Sequence, residues 1–212
     1  MKTLQSGILE LSKYPLTLLT LAGVILIILV FIRLKKITLT VRIISQLSIG
    51  LALSVILNLF KIAELPSGGA ITLGGMVPII LLSLFYGPEI GFLTGFMYGI
   101  LSLILGPYIL HPVQVLFDYP LPFMALGLAG FFKDKKLIAT VIAVLGRFTF
   151  HFISGVVFWG SNAPEGMSPY LYSLIYNASY LGIDGLICIV ILTLIPVNQI
   201  YSILNKNSIH SH

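Results

Sequence analysis

Residues 15–32, "PLTLLTLAGVILIILVFI", run for eighteen positions without a charge. A helix needs about 20 apolar residues to cross the hydrocarbon core of a bilayer. Inside lipid, only helices and closed barrels satisfy every backbone polar group. Further apolar stretches follow at 39–60, 71–86, 90–106, 113–132, 137–159 and 170–196. The 71–86 stretch is short, and the last is long enough to begin outside the bilayer. Of the 212 residues, 58% are hydrophobic and only 9% are charged, whereas soluble domains carry about 25% charged residues. Such a chain cannot cover a water-facing surface, so the sequence predicts an all-α integral membrane protein. The formal charge of +5 is no sign of nucleic-acid binding, because the basic residues are few and sit in short loops. Cys188 is the only cysteine, which excludes an intrachain disulfide.

The first stretch is longer than the usual signal-peptide core of about 7–15 residues, and "RLKK" rather than a small-residue cleavage site follows it. It is expected to be a retained helix. Alternating passes then place Arg33, Lys35, Lys36, Arg42, Lys133, Lys135, Lys136 and Lys206 on one side, and Lys2, Lys13 and Lys61 on the other. The basic side is the cytoplasmic one. Seven spans with the N-terminus outside and the C-terminus inside satisfy this rule. Without the first span, a six-helix unit remains with both ends inside.

On this threading the outer side receives residues 61–70, 107–112 and 160–169. The polar residues of the spans gather near it. Asp118 and Tyr119 lie one to two turns below the outer end of the fifth span. His151 and Trp159 lie in the outer half of the sixth, and Tyr172, Asn177 and Tyr180 in the outer half of the seventh. Tyr108 and His111 sit in an outer loop. Arg147, His151, Gly155 and Trp159 recur every four residues and share one helix stripe, where Gly155 leaves a hollow between imidazole and indole. Each residue alone has a plain structural reading: a hydrogen-bonded core histidine, interfacial aromatics, or an Arg147 paired with Asp118 or Asp184. Together, an acid, an imidazole, an indole and several phenols in one leaflet suit a cationic aromatic ligand, held by charge neutralisation and cation–π contact.

Four phrases carry a family resemblance: "LPSGGAITLGGMVPIILLSLFYGPEIGFLTGFMYG", "GPYILHPVQVLFDYPLPFMALGLAG", "RFTFHFISGVVFWGSNAPEG" and "YSLIYNASY". Over residues 40–196 the chain resembles the thiamine-specific substrate-binding subunits of energy-coupling factor transporters. The resemblance implies a six-helix bundle, with the first helix as an addition. It implies that Asp118, often glutamate in the family, hydrogen-bonds the aminopyrimidine of thiamine beside Tyr119. His151 then serves as a polar contact, Gly155 as the small residue one turn on, and Trp159 as a stacking platform. Tyr172, Asn177 and Tyr108 complete the implied ligand set. Some members carry a second tryptophan in the first outer loop; this chain has only Trp159, so "AELPSGGA" must close the pocket differently.

The resemblance also implies a division of labour. The chain contains no GxxxxGK[ST] phosphate-binding loop, and ATP is expected to be used only by partner subunits: two ATPases and a transmembrane coupling protein. Docking is expected on small residues of the second span, Ser48 with Ala52 and Gly50 with Ser54, spaced for close helix approach. Residues 65–75, "LPSGGAITLGG", are expected to form a mobile lid, against the plainer reading of a loop leading into a glycine-rich helix start. The organisation is then residues 1–37 as an additional N-terminal helix and basic loop, 38–198 as the thiamine-binding membrane domain, and 199–212 as a cytoplasmic tail, in a bacterial cell membrane. No cofactor, metal site or nucleic-acid partner is expected. The alternative is a self-sufficient proton-coupled symporter for thiamine or another organic cation, with Asp118, His151 and Arg147 as a relay, although no inverted repeat of broken helices is evident. Ser154 beside His151 invites an intramembrane hydrolase. The two are neighbours on one helix without a strained nucleophile turn, so no enzyme and no catalytic residue is expected.

Overall fold

A computed structural model describes residues 14–35, 37–197, 199–200 and 202. Lys2, Lys13, Lys36, Lys206 and most of the 199–212 tail lie outside the described residues. Proline at the first or second helical position, where a missing N–H costs nothing, opens six of the eight α-helices among the described residues. They are α1 (Pro15–Leu34), α3 (Val77–Tyr86), α4 (Pro88–Leu105), α5 (Pro112–Asp118), α6 (Pro120–Met124) and α8 (Pro169–Leu194). The other two are α2 (Val41–Leu59) and α7 (Lys136–Phe158). Thr40 caps α2 by accepting from Ile43 N, and Ser168 caps α8 by accepting from Leu171 N, each at 3.3 Å. Among the described residues, six helical segments are long and apolar enough to cross a membrane.

Two of the expected spans differ. The 71–86 stretch is not one helix. Strands β1 (Lys61–Glu64) and β2 (Ala70–Thr72) pair antiparallel, and α3 begins only at Val77, with 10 residues, or about 15 Å of helix. The cause lies in the polar anchoring of Thr72: its N–H and hydroxyl both donate to the buried carboxylate of Asp184, at 3.0 and 2.9 Å. Gly74 then turns the chain at φ +82°, a region that favours glycine.

The 113–132 span is also interrupted. α5 stops at Asp118, Tyr119 takes φ −118°, ψ −81°, and α6 restarts at Pro120. The residue before a proline is pushed out of the helical region. After α6, residues Ala125–Phe132 continue as a 3-10 helix. This irregular pass lies directly on α4, backbone to backbone. A Cβ added to Gly95 would fall 2.0 Å from Phe123 O, and one added to Gly99 2.5 Å from Tyr119 O. Irregular backbone at membrane depth is tolerated where protein covers it, and the glycines of α4 make that cover possible.

α7 packs along α8 and the 3-10 helix. Lys136, at the start of α7, donates to Leu192 O and Ile195 O at 3.1 and 3.2 Å and so closes the C-terminal end of α8. The small residues of α2 separate by face. Gly50 and Ser54 point into the bundle, where a Cβ on Gly50 would meet Leu82 Cδ1 at 2.5 Å. Ser48 and Ala52 are exposed. Of the four residues expected at a docking face, only these two are free to meet another protein.

Replacing Gly95 by valine sets a side chain against backbone that cannot yield. It should cost about 3 kcal/mol or more, the upper range for overpacking. Gly182→Ala, with nothing within 4 Å of the new Cβ, should be neutral. Thermal unfolding of the two purified variants measures the contrast.

Candidate functional site

The broken fifth pass, α7 and α8 surround a cavity of about 320 Å³ that also reaches the β1–β2 turn and residues 105–108. That volume lies at the small end of ligand sites, which span about 300–1,000 Å³. Asp118, Tyr119, His151, Gly155, Trp159, Tyr172, Asn177 and Tyr108 all line it. The every-fourth stripe on α7 points inward along its length, from Arg147 deep in the cavity to Trp159, which caps the helix at φ −110°, ψ 0°.

Asp118 is the hub. The end of α5 carries it, and its Oδ2 accepts from Gln114 Nε2 at 2.6 Å and from the indole Nε1 of Trp159 at 3.2 Å. Its Oδ1 faces His151 Nδ1 at 3.6 Å. Arg147 Nε approaches His151 Nε2 at 3.4 Å. With Nε2 accepting, the imidazole proton sits on Nδ1, toward Asp118. The Arg147 guanidinium lies 4.3 Å from the centre of the Phe123 ring and 3.9 Å from Asp184 Oδ2. Of the two acids open to it on sequence, Arg147 therefore faces Asp184, while its Nε turns to the histidine.

Several side chains do structural work that their expected roles do not describe. The Tyr119 hydroxyl accepts from Tyr108 N at 2.7 Å and donates to Gly106 O at 3.1 Å, so it fixes the loop that carries Tyr108. The Tyr108 ring then lies 5.0 Å from that of Trp159. Gly155 does not leave a hollow: a Cβ there would lie 2.2 Å from Ser173 Oγ, so the missing side chain lets α8 approach α7. The Asn177 amide donates to Ser173 O at 2.9 Å and to His151 O at 3.3 Å, and its oxygen accepts from Tyr180 at 3.1 Å. Tyr172 stacks on Tyr176 at 5.9 Å. Tyr176 holds the hairpin turn, donating to Pro66 O and accepting from Gly69 N, each at 3.0 Å.

Gln114, Tyr98, Ser173 and Tyr176 also line the cavity and were not anticipated. Gln114 was the most findable, because it precedes Asp118 by four residues on one helix face. Tyr172, Tyr176 and Tyr180 form a similar stripe on α8.

A bundle of long apolar helices with a polar, aromatic cavity at one end defines a multi-pass membrane protein with a candidate small-molecule site. The chain belongs to the thiamine transporter protein family (Thia_YuaJ), whose profile matches residues 44–204. That family consists of transporters rather than enzymes. The thiamine transporter ThiT of Bacillus subtilis (strain 168) is 36% identical over 169 residues, covering 71% of this chain and 88% of that protein. ThiT of Lacticaseibacillus paracasei is 35% identical over 123 residues, 49% of this chain and 61% of that one. A solved structure of ThiT from Listeria monocytogenes shares the fold with a TM-score of 0.61 at 23% identity, covering 77% of this chain and 93% of that one.

Asp184 is buried at 2% exposure and Arg147 at 8%. Removing one partner leaves a buried charge alone, at about 3–5 kcal/mol. Asp184→Ala should therefore lower stability by about that amount and also loosen Thr72. Adding Arg147→Met to that variant should recover part of the loss, read as a rise in unfolding temperature over the single variant.

Proposed function

We propose that the chain is the thiamine-capturing membrane subunit of an ATP-driven uptake system. It takes the vitamin at its outer face and delivers it inward when docked to a coupling protein and two ATPases. The observation that carries this reading is the meeting of Asp118, His151 and Trp159 on one cavity, in a chain that belongs to the thiamine transporter family. Thiamine brings an aminopyrimidine donor and a cationic thiazolium. A carboxylate suits the amine, and the rings of Trp159, Tyr108 and Tyr172 suit the cation. Aspartate is one methylene shorter than glutamate. Gln114 and the Trp159 indole hold its carboxylate from α5 and from the end of α7, so the ligand must approach closely or bridge to it through water.

The proposed orientation follows the charges. Lys133, Lys135 and Lys136 stand at the end of α7 opposite the cavity, so the cavity opens outward when that end faces the cytoplasm. The β1–β2 turn is the proposed lid. Exposed Ser48 and Ala52 on α2 form the proposed docking face, with room for close helix approach.

Trp159 is the only tryptophan, so its emission reports on the site directly. Thiamine should quench it in the purified chain, and Asp118→Ala should weaken binding by about a hundredfold, as expected when a charged hydrogen-bond partner worth about 3 kcal/mol is lost. Unchanged emission at millimolar thiamine would overturn the reading. Ala52→Trp should leave thiamine affinity intact while abolishing uptake in cells that supply the energy-coupling partners. Uptake by the chain alone in vesicles under a pH gradient would favour the symporter instead.

A further inference from the structure

α1 precedes the residues that the family profile matches, and its one buried residue is Gly23. The rest of the helix is half-buried or exposed, as for a helix that touches the bundle along a single line. That line falls between α4, where Phe31 meets Phe96 with ring centres 5.2 Å apart, and the interrupted fifth pass. A Cβ on Gly23 would lie 3.1 Å from Leu121 Cδ1 and 3.4 Å from Phe117 Cε2. Leu16, Leu19, Ile27 and Val30 of α1 join the apolar cluster built on Val113, Phe117, Leu121 and Met124. Phe117 and Leu121 bracket the break that carries Asp118 and Tyr119. On its far side, Phe117 meets Phe150 of α7 with ring centres 5.9 Å apart, and Phe150 adjoins His151.

We infer that α1 positions Asp118: seated through Gly23 on Phe117 and Leu121, it clamps the broken pass against α7 and sets the reach of the carboxylate to Trp159 and His151. Gly23 is a positioning residue, since it touches no cavity-lining group. The break makes such support necessary. A continuous helix would hold Asp118 through its own hydrogen bonds, whereas here α5 has only 7 residues and ends at the acid itself. Short isolated helices are marginal, and packing supplies their stability. The inference rests on the thiamine-binding reading only for its affinity readout.

The test uses the full chain in lipid nanodiscs, with two measurements: Trp159 emission without ligand, and thiamine titration. Gly23→Leu should shift ligand-free Trp159 emission by disturbing the indole–Asp118 contact, and should raise the thiamine Kd about tenfold or more, the usual scale for a lost supporting contact. Gly23→Ala should stay near wild type, because the nearest atom is the far end of a flexible leucine. Combining Gly23→Leu with Leu121→Ala exchanges the volumes and should restore both readouts, which a general loss of stability would not allow. Ile25→Ala, on an exposed position of the same helix, should change neither. If Gly23→Leu does not fold, Gly23→Val carries the same comparison. A folded Gly23→Leu protein with wild-type emission overturns the inference. If wild-type protein fails to bind thiamine, the functional reading falls, and the ligand-free emission still decides the role of α1.

Discussion

The structure depends on where the bundle can hide broken backbone. Lipid offers no hydrogen bonds, so a pass that stops at Asp118 and restarts at Pro120 survives only under protein cover. The glycines of α4 provide that cover on one side by bringing two backbones together without side chains between them. α1 and α7 close the remaining sides. The break then gives the acid something a regular helix would not. Asp118 stands at the end of α5, level with the C-terminal turn of α7, within reach of both an indole and an imidazole.

From there a line of polar contacts runs down through the protein. Trp159 and Gln114 hold Asp118, which faces His151; His151 meets Arg147, Arg147 faces Asp184, and Asp184 grips Thr72 at the base of the hairpin. The direct pair of opposite charges along it is Arg147 with Asp184, which offsets the desolvation of both, while Asp118 is held by neutral donors. The same line joins the turn over the cavity to the helices that form its walls. Tyr176 adds a second tie, from α8 to the tip of that turn.

Much of this was legible in the sequence. The all-helical membrane architecture, the gathering of polar groups at one end and the inward stripe of α7 followed from apolar run lengths and a spacing of four. Other features were hidden for physical reasons. Residues 71–76 are as apolar as a helix, and only a long-range partner, Asp184, draws Thr72 into a strand. The fifth pass reads as one apolar run, because hydropathy does not register that Pro120 forces Tyr119 out of the helix. Gly155 and Asn177 were readable as residues near a pocket. That their first task is to hold α8 on α7 depends on Ser173, which no local pattern ties to them. The every-fourth stripe did mark Arg147, but choosing its acid required knowing which helices touch.

The hydrogen bonds to Asp118 make occupation of the site an exchange rather than the filling of a gap. Its Oδ2 already carries an amide and an indole donor. On the proposed reading, an arriving amine competes with neutral donors that the protein supplies to itself. A neutral ring without a donor has nothing to offer in that exchange and leaves the acid with the partners it had. The bonds from Gln114 and Trp159 are already charge-assisted, because the carboxylate carries the charge, so an arriving amine gains only where it matches or joins them. On that reading, the resting hydrogen bonds of the pocket set a threshold that a ligand's own donors must meet before size or shape is considered.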